Sequence, residues 1–591
     1  DGAPPKVVVI QSEKVIAYTP SPDVQENIEL VTLDGGASLI DVEWNEVRLW
    51  VNNEVLLAAS EKVEATTTVT CPTSMEQARK AVDGPQWMVA INKEMKSLVD
   101  KGTFQFMQEH EIPAGFKYIN MSTKLTIKWK KDGQLERRKA RCVANGLLQS
   151  YGVDYECTFA PSSQLVSVKM ILVIAVCLDL TVYHLDVVTA FLNATLTDDV
   201  YVRLPAGLDS PPSRFAKLKK SVYGLKKAAR DWYNCQVEMM MKVPGMQKSN
   251  VELCWYYIRQ KGLVVHILVH VDDYIIATNS PVWKKWFVDC FSEHSEITDL
   301  GILDQVVGIG VSWGDKQVAL TRTREILVTA EKYGLGDAKS TLYPVSPGMD
   351  LKAGEAGTGE RGLPYLNLMG ELRYHQRACR PDLTLALNKL GAYCAEPKSD
   401  HYGALLNVAR YAKGTADMPF IITGRRFLGG KFRVCLFTDA SWSDCKETRR
   451  ATSGWTVFVN GNLVTCASTR QSSVSLSSAE AEIIALSDGC KDLLHVYQTL
   501  SGLVEVELPM KVLVDNQATI AIVENPVNNR RTRHIETRHM WVRELVKGTS
   551  EVGPLITLSY VRTEENVADY MTKALSGEKF TYFRDQLMGL E

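Results

Sequence analysis

The sequence predicts a multidomain protein of mixed α/β and α+β class. Its 591 residues exceed what one hydrophobic core usually organises, so several domains are expected. The composition, 45% hydrophobic and 23% charged, is typical of globular chains. Short apolar runs that end in aspartate alternate with stretches of helical periodicity, and they do so in two separate parts of the chain. Each part therefore predicts a sheet with carboxylates at its strand ends.

Charge, cysteine usage and hydropathy narrow the class of protein. The formal net charge is −2, so binding of nucleic acid would have to depend on local basic patches. The 13 cysteines form no Cys-x-x-Cys pair and no Cys/His cluster, which predicts reduced thiols in an intracellular protein and no zinc site. The longest apolar run, residues 170–182, contains Asp179 and is too short to span a bilayer. The chain begins with Asp1 and no signal peptide follows, so we expect a piece of a longer polyprotein.

The first carboxylate motif lies in residues 267–276, where apolar residues run up to Asp272 and Asp273 and then resume. This pattern predicts two β-strands joined by a tight turn, with the Asp-Asp pair as the turn. Two like charges in an apolar setting repel each other and are costly to desolvate unless a cation lies beside them. A hard divalent ion such as Mg²⁺ suits oxygen ligands of this kind. A solvent-exposed turn is the alternative, because aspartate is common in turns.

A second stretch, residues 184–192, has a strand ending in Asp186 and an aromatic, Phe191, five residues later. One strand-borne Asp and a hairpin-borne Asp pair form a ligand set that suits two metal ions. Three segments then carry a resemblance: residues 186–193 (DVVTAFLN), 220–233 (KSVYGLKKAARDWY) and 271–273 (VDD). They are similar to the palm motifs of copia-type LTR retrotransposon reverse transcriptases.

The resemblance implies a right-hand polymerase with fingers, palm and thumb. It assigns catalytic and Mg²⁺-binding roles to Asp186, Asp272 and Asp273. In that family one ion activates the attacking 3′-hydroxyl and the other steadies the leaving pyrophosphate. Phe191 matches the aromatic that stacks under the sugar and rejects a 2′-hydroxyl, so it is expected to contact the nucleotide. A core phenylalanine is the alternative.

The segment before these motifs predicts a helix and a basic hairpin. Residues 87–98 have apolar side chains at helical spacing. Residues 126–133 and 137–144 predict two strands around an Asp-Gly turn. This hairpin resembles the fingers of the family, where Lys139 and Arg141 would bind the triphosphate of the incoming nucleotide. A solvated basic hairpin is the alternative.

Residues 217–230 contain six cations and no acid, interleaved with aromatic residues. Lysines reach phosphates and aromatic rings stack on bases, so the run predicts nucleic-acid contacts, with a solvated charged face as the alternative. The contacts expected here are Lys219, Lys220, Lys226, Lys227 and Arg230. The chain departs from the family at Lys227, where Gln is usual, and at His270, where Tyr is usual. Both lie where template and primer should pass, which keeps open a second hypothesis: a decayed, weakly active or inactive nucleic-acid-binding remnant.

A second catalytic unit is predicted from about Lys431. Four acids follow on predicted β, α, β and α elements, and they are Asp439, Glu482, Asp515 and Asp569. This order resembles the ribonuclease H fold, in which such acids converge on two Mg²⁺ ions that cut the RNA strand of a hybrid. Glu480 competes with Glu482, which is preferred because an acid followed by apolar residues matches the family. Residues 529–539 are basic and match a family segment. The expected hybrid-backbone contacts there are Arg531, Arg533 and His534.

The resemblance covers roughly residues 74–576 and sets the expected domain order. Residues 1–73 stay unassigned, with an integrase-side linker as one interpretation. The expected domains are 74–340 as fingers, palm and start of thumb, 341–430 as a helical connection, 431–576 as a ribonuclease H-like domain, and 577–591 as a tail. We also expect residues 431–591 to fold when isolated.

The resemblance further implies an RNA-directed DNA polymerase with ribonuclease H activity. Each active site would hold two Mg²⁺ ions, with Mn²⁺ as a substitute. The expected partners are an RNA template, a DNA primer, an RNA–DNA hybrid and deoxynucleoside triphosphates, with no membrane. Hybrid geometry would be read through backbone and sugar contacts. The implied location is cytoplasmic, within virus-like particles.

Overall fold

The computed structural model describes residues 71–590, together with the backbone of five short strands between residues 7 and 52. Within 71–590 the gaps are residues 130–134, 153, 206–211, 350, 353–358, 361, 446, 526–538 and 549–552. The predicted contacts Arg531, Arg533 and His534 therefore lie outside the described residues. The chain divides into two compact units: residues 1–154 with 197–225, and residues 155–196 with 226–591.

The secondary structure follows the predicted alternation of strands and helices. Up to residue 154 the elements are β1 (Val7–Gln11), β2 (Lys14–Tyr18), β3 (Ile28–Leu33), β4 (Ala37–Val42), β5 (Leu49–Asn52), α1 (Met75–Lys80), α2 (Gly84–Asp100), β6 (Phe104–Met107), β7 (Tyr118–Trp129) and β8 (Leu135–Ala144). From there to residue 340 they are α3 (Leu165–Leu178), β9 (Thr181–Val187), β10 (Tyr201–Arg203), β11 (Phe215–Leu218), α4 (Ala228–Met241), β12 (Gln247–Lys248), β13 (Trp255–Gln260), β14 (Leu263–His270), β15 (Asp273–Thr278), α5 (Pro281–Ser292), β16 (Ile297–Ile302), β17 (Gln305–Val306), β18 (Ile309–Gly314), β19 (Gln317–Thr321) and α6 (Thr323–Lys332).

The remaining elements belong to the second unit. They are α7 (Tyr365–Cys379), α8 (Thr384–Gly391), α9 (Ser399–Gly414), β20 (Phe420–Thr423), β21 (Val434–Ser441), β22 (Thr452–Val459), β23 (Asn462–Arg470), α10 (Ser478–Ser501), β24 (Met510–Val514), α11 (Gln517–Glu524), α12 (Val542–Lys547), β25 (Ile556–Tyr560), α13 (Asp569–Thr572) and α14 (Gly577–Met588).

The first unit contains a five-stranded sheet in the order β6-β11-β10-β7-β8. Strands β7 and β8 pair antiparallel and form the predicted basic hairpin. Helix α2 packs on β8 through a buried stripe that includes Trp87, Ile91 and Leu98. With Met95, which is also buried, these residues recur every three to four positions, which is the spacing that turns one face of a helix towards a core.

The second unit begins with a six-stranded sheet in the order β12-β13-β14-β15-β9-β16, which we call the palm sheet. Helix α3 is apolar on nearly all sides, and its residues 170–175 are fully buried against one face of this sheet. Helices α4 and α5 cover the other face through residues such as Trp232 and Phe287. The carboxylate-bearing strand ends of β9 and β15 are thus held between two packed layers.

The C-terminal sheet has the order β23-β22-β21-β24-β25. Strands β21, β22 and β23 are antiparallel, whereas β24 and β25 run parallel to β21. Helix α10 packs across β21 and β22. Together with the palm sheet, this arrangement confirms the predicted class: a multidomain α/β and α+β chain with a ribonuclease H-like α/β domain.

The largest apolar core of the second unit extends from helix α3 to the C-terminal sheet, and it is distinct from the core that α4 and α5 form on the palm sheet. Buried residues of α3, α7, α8, α9 and the C-terminal sheet belong to the same cluster. Strand β20, within the expected connection, pairs with β19 in the sheet β17-β18-β19-β20. The segment expected to be a C-terminal tail instead contains α14, whose Phe580 and Phe583 are buried in the same core. A boundary at residue 431 therefore passes through shared packing.

None of the helices in the described ranges combines the length and the apolar character needed to cross a membrane.

Candidate active sites

The palm sheet brings Asp186 and Asp273 together by strand register. These two residues are direct partners in the antiparallel pair of β9 and β15. Asp272 lies in the turn before β15, and its carbonyl accepts a hydrogen bond of 2.9 Å from the Val187 amide. His270 pairs with Asp273, so the two turn residues are Val271 and Asp272. The prediction that Asp272 and Asp273 both form the turn was wrong by one residue, since Asp273 already belongs to a strand.

The turn has a strained backbone and is held by a hydrogen bond from helix α4. Val271 has φ +62°, a left-handed conformation that is unfavourable for a β-branched residue. The indole Nε1 of the buried Trp232 donates a hydrogen bond of 2.7 Å to the Val271 carbonyl. Helix α4 therefore holds the turn in place through one side chain. A backbone outlier held by a buried donor fits a turn whose exact position matters.

Two histidines also contact the turn region. His184 Nε2 lies 2.8 Å from Asp273 Oδ1, and both side chains are mostly buried. Ser163 Oγ lies 3.0 Å from His270 Nδ1, so the residue that replaces the usual Tyr has a partner on the segment before α3. The strand alternation places His184 on the same face as Asp186. A histidine two residues before a strand-end acid is not a recognisable motif, so the contact between His184 and Asp273 was not predicted from the sequence.

Phe191 lies in a short 3₁₀ helix, Ala190–Asn193, directly after β9. Its ring is partly buried against the core formed with α4 and α5. The structure therefore keeps both earlier interpretations, because a half-buried ring both packs and offers an edge to a ligand.

Lys139 and Arg141 project from β8 beside an acid that sequence reasoning missed. Glu94 on α2 accepts a hydrogen bond of 3.2 Å from the Cys142 amide. Burial raises the pKa of Glu94, while the Cys142 amide, Lys139 and Arg141 act in the opposite direction. The Arg141 guanidinium also lies 4.8 Å from the centre of the Tyr223 ring. Both cations therefore act on a half-buried acid within the first unit, and Arg141 also stacks on an aromatic ring.

The basic run is divided between the two units: Lys217, Lys219 and Lys220 belong to the first, and Lys226, Lys227 and Arg230 belong to the second. Lys219 is exposed, whereas Lys226 donates to the Tyr155 hydroxyl at 3.0 Å. Lys227 precedes α4 and lies 3.8 Å from Asp231. Arg230 donates to the Phe159 carbonyl at 3.1 Å. Part of the run thus has structural contacts of its own.

The C-terminal sheet gathers three of its four predicted acids. Carboxylate oxygens of Asp439, Glu482 and Asp515 lie within 4.8 Å of one another. Asp439 is near the carboxyl end of β21, Asp515 follows the parallel neighbour β24, and Glu482 is in the first turns of α10. Ser477 caps α10 by accepting from the Glu480 amide at 3.1 Å. Glu480 bends back to the Leu476 amide at 2.6 Å, so it serves the helix end rather than the cluster.

The electrostatics of this cluster favour a cation. Burial raises the pKa of Asp439 to about 6. The Lys573 charge lowers this pKa, whereas the Asp569 charge raises it further. Burial raises the pKa of Glu482 to about 9, and the charges of Asp439 and Asp515 add to the rise. Glu482 Oε2 is buried with no hydrogen-bond partner among the described residues. Three convergent oxygens, one of them unsatisfied, suit a divalent ion such as Mg²⁺. Elsewhere in the described ranges no other set of three His, Cys, Asp or Glu side chains meets this spacing.

Asp569, the fourth predicted acid, lies beside the cluster but is bound by lysines. Its side chain is fully buried, with Lys573 Nζ 2.7 Å from Oδ1 and Lys579 Nζ 2.9 Å from Oδ2. Lys573 Nζ also lies 3.2 Å from Asp439 Oδ1. The Thr572 hydroxyl hydrogen-bonds to Asp439 Oδ2. Sequence reasoning missed these residues, although the Asp569-to-Lys573 spacing is that of an ion pair on one helical face.

An exposed rim adjoins this cluster at the same end of the sheet. Trp442, just past β21, is 52% exposed, and its Nε1 donates to the Ser475 carbonyl at 2.9 Å. Val474 and Leu476 on that loop are also exposed. Arg470 lies at the same end, because it pairs with Thr452, the partner of Ser441. Exposed aromatic rings stack on bases and arginines reach phosphates, so this end of the sheet suits contacts with nucleic acid.

Comparison with known proteins agrees with this architecture. Residues 107–347 match the family model "Reverse transcriptase (RNA-dependent DNA polymerase)". The chain is 29% identical over 533 residues to the Retrovirus-related Pol polyprotein from transposon TNT 1-94 of Nicotiana tabacum, covering 88% of this chain and 39% of that protein. It is 28% identical to the Pol polyprotein from transposon RE2 of Arabidopsis thaliana, covering 89% and 35%. The truncated transposon Ty1-A Gag-Pol polyprotein of Saccharomyces cerevisiae is 24% identical, covering 84% and 42%.

Two solved structures overlap parts of the fold. The foamy viral protease-reverse transcriptase in complex with double-stranded DNA overlaps with a TM-score of 0.43 and 12% identity, covering 80% of this chain and 69% of that one. LC11-RNase H1, isolated from compost, overlaps with a TM-score of 0.19 and 15% identity, covering 24% and 92%.

The class defined by the fold and the family match is a reverse transcriptase region followed by a ribonuclease H-like domain. The similarity to these transposon Pol polyproteins confirms the resemblance to copia-type retrotransposon polyproteins. The chain spans about two fifths or less of the length of the tobacco and Arabidopsis relatives.

Proposed function

We propose that the chain is an RNA-directed DNA polymerase that copies a primed RNA template and cleaves the RNA of the resulting hybrid. The observation that carries the proposal is the presence, in one chain, of two carboxylate sets on separate sheets. Deoxynucleoside triphosphates, a DNA primer and an RNA template are the proposed substrates. A cytoplasmic, particle-associated location remains a prediction.

In the palm, Asp186, Asp272 and Asp273 would hold divalent ions against the primer end and the nucleotide. The bound ions would supply Lewis-acid activation of the 3′-hydroxyl and stabilise the leaving pyrophosphate. Trp232 would fix the turn, and His184 would orient the Asp273 carboxylate through their 2.8 Å contact. Lys139 and Arg141 remain the proposed triphosphate contacts, since charge-assisted bonds to phosphate are strong. Phe191 remains a proposed sugar contact.

In the C-terminal domain, Asp439, Glu482 and Asp515 would hold an ion at the scissile phosphate of RNA. Thr563 Oγ1 donates to Asp515 Oδ2 at 3.1 Å and so orients that ligand. Thr572 does the same for Asp439. The exposed Trp442 and Arg470 would contact the sugar–phosphate backbone of the hybrid beside the cluster. Backbone recognition would leave cleavage largely independent of sequence.

The proposal is tested with two single substitutions assayed for two activities. Asp272→Asn should abolish primer extension and leave RNA cleavage in a preformed hybrid unchanged. Asp515→Asn should do the reverse, with each loss at least about 10²-fold, the scale seen when one transition-state-stabilising group is removed. Loss of both activities in either folded variant would contradict two separate sites. A silent Asp515→Asn would mean that the cluster has no part in RNA cleavage.

A second candidate, a nucleic-acid-binding remnant without polymerase activity, is favoured by the contacts in the palm. Asp273 is engaged by His184, and the three palm acids do not meet the ligand spacing seen in the C-terminal domain. Lys227 and His270 also replace the residues usual in the family. This candidate predicts that the purified chain binds primer–template but neither extends it nor cuts RNA with Mg²⁺ or Mn²⁺. Detectable extension would exclude it.

A further inference from the structure

Lys573 occupies the space between two acids that belong to different elements. Its ammonium lies 3.2 Å from Asp439 Oδ1 on β21 and 2.7 Å from Asp569 Oδ1 on α13. Both carboxylates are almost fully buried, whereas the lysine side chain is 38% exposed. One ammonium therefore bridges two buried carboxylates, which is the position that a divalent ion takes in a carboxylate site.

Three of the four carboxylates, including Asp439, form a group with metal-ligand spacing. Asp439, Glu482 and Asp515 meet ligand spacing, while Asp569 is held on both oxygens by Lys573 and Lys579. Glu482 Oε2 is the unsatisfied atom, and it belongs to this group. The four acids are thus divided into three that suit an ion and one that already has two cations.

We propose that Lys573 is a built-in cation that takes the place of a second divalent ion at Asp439 and Asp569. The C-terminal domain then binds one ion tightly, through Asp439, Glu482 and Asp515. A second ion binds only by displacing the Lys573 ammonium, and its affinity is correspondingly low. This inference rests on the proposed ribonuclease H function and assigns Lys573 a positioning role within it.

Electrostatics predicts that removing the Lys573 charge raises the affinity for a second divalent ion. An ammonium in contact with two carboxylates repels an incoming divalent cation and also occupies its position. Lys573→Met keeps most of the aliphatic length and removes the charge. Asp569 then keeps only Lys579, and Asp439 loses its nearest cation. The second ion should bind about tenfold more tightly or better, the order expected for removing one contacting charge.

The experiment counts ions on the full chain. Asp272→Asn and Asp273→Asn are combined to silence the palm, and bound Mn²⁺ is counted from the loss of the free-ion electron paramagnetic resonance signal. This background should bind one ion tightly, and adding Lys573→Met should raise the number to two. Lys579→Met is the matched control: it removes the same charge, but Lys579 is paired with Asp569 and not with Asp439, so the number should remain one.

Folding is checked in the chain with intact palm acids, where Lys573→Met should retain DNA synthesis. Lys573→Gln provides a second substitution if the methionine variant does not fold. Two tightly bound ions in the palm-silenced background would overturn the inference, and so would a single ion in both folded Lys573 variants. Glu482→Gln distinguishes a failure of the lysine inference from a failure of the proposed ribonuclease H site. If it removes the tight ion while Lys573→Met adds none, only the lysine inference fails; if it removes no ion, the proposed ribonuclease H site itself fails.

Discussion

The hydroxyl of Tyr570 donates a hydrogen bond to the backbone carbonyl of Asp382, 3.1 Å away. The Asp382 carboxylate accepts two hydrogen bonds from Arg380 and one from the Tyr411 hydroxyl, and all of these side chains are buried. Tyr570 directly follows Asp569. The position of the fourth acid therefore depends on a buried ion pair that lies outside the ribonuclease H-like domain.

This dependence changes the expectation for an isolated C-terminal domain. Residues 431–591 alone would expose the apolar surfaces that α7, α8 and α9 cover, and would lose the Asp382 contact. We expect this fragment to unfold without a sharp transition and to bind a hydrophobic dye. Residues 364–591, which retain those helices, should unfold more cooperatively. Thermal melts followed by circular dichroism would compare both with the full chain. A fragment 431–591 as stable as the full chain would contradict the shared core.

Trp232→Phe should impair DNA synthesis selectively. The substitution keeps most of the buried aromatic surface but removes the 2.7 Å hydrogen bond to the strained Val271 carbonyl. We expect a stability loss of about 1–3 kcal/mol, because a buried acceptor is left unpaired. Primer extension should fall by about tenfold or more, since small displacements of catalytic groups have effects of this size. RNA cleavage should not change. Trp286→Phe, a half-exposed tryptophan on α5, is the control, and equal losses in both variants would refute the role of the bond.

Phe191→Ala should admit ribonucleotides if the ring contacts the sugar. Without the ring, a 2′-hydroxyl meets no steric barrier next to β9. The measurement is the ratio of ribonucleotide to deoxynucleotide incorporation in primer extension, which we expect to rise by about 10-fold or more, the scale of a lost steric contact of 1–3 kcal/mol. A ratio that does not move, with stability lowered, would leave Phe191 as a core residue.

The stability of the ion-free protein should fall as the pH rises. The folded pKa of Asp439 is about 6 against an ordinary 3.8, and that of Glu482 is about 9 against 4.5. Because both values are raised, the protonated acids stabilise the fold below about pH 4, and this contribution is lost as the pH rises through each folded pKa. Melting temperatures in a chelator should therefore drop between about pH 5 and pH 9.

Mg²⁺ should oppose this trend, since an ion favours the ionised carboxylates. Glu482→Gln should flatten most of the pH dependence in the chelator, because the amide does not titrate. A melting temperature that rises with pH in the unsubstituted, ion-free chain would contradict the raised pKa values.

Local pattern was enough to predict the elements that carry the acids. The alternation around Asp186 and Asp273 fixes their strands, and the Ser477 cap fixes the start of α10. The left-handed conformation of Val271 could not be predicted from the sequence, because valine is not one of the residue types that favour positive φ. For the same reason, the sequence pattern did not show that the turn consists of Val271 and Asp272 rather than Asp272 and Asp273.

Contacts between distant segments were beyond local pattern. Lys573 and Asp439 are separated by 134 positions, and nothing in either segment specifies the other. The pairing of β20 with β19 and the burial of α14 depend likewise on tertiary packing. The family resemblance predicted a domain order, but the continuous core from α3 to the C-terminal sheet follows only from how these segments meet.

The direct pairing of Asp186 with Asp273 bears on which genetic changes this region tolerates. Side chains along β9 alternate between the face of the acids and the face packed on α4 and α5, where Leu185 and Val187 are buried. Loss of a single codon within Thr181–Val187 would invert that alternation for part of the strand. It would bury a carboxylate among apolar side chains or turn leucine and valine towards the site. One-codon deletions in this strand should therefore be more damaging than most single substitutions.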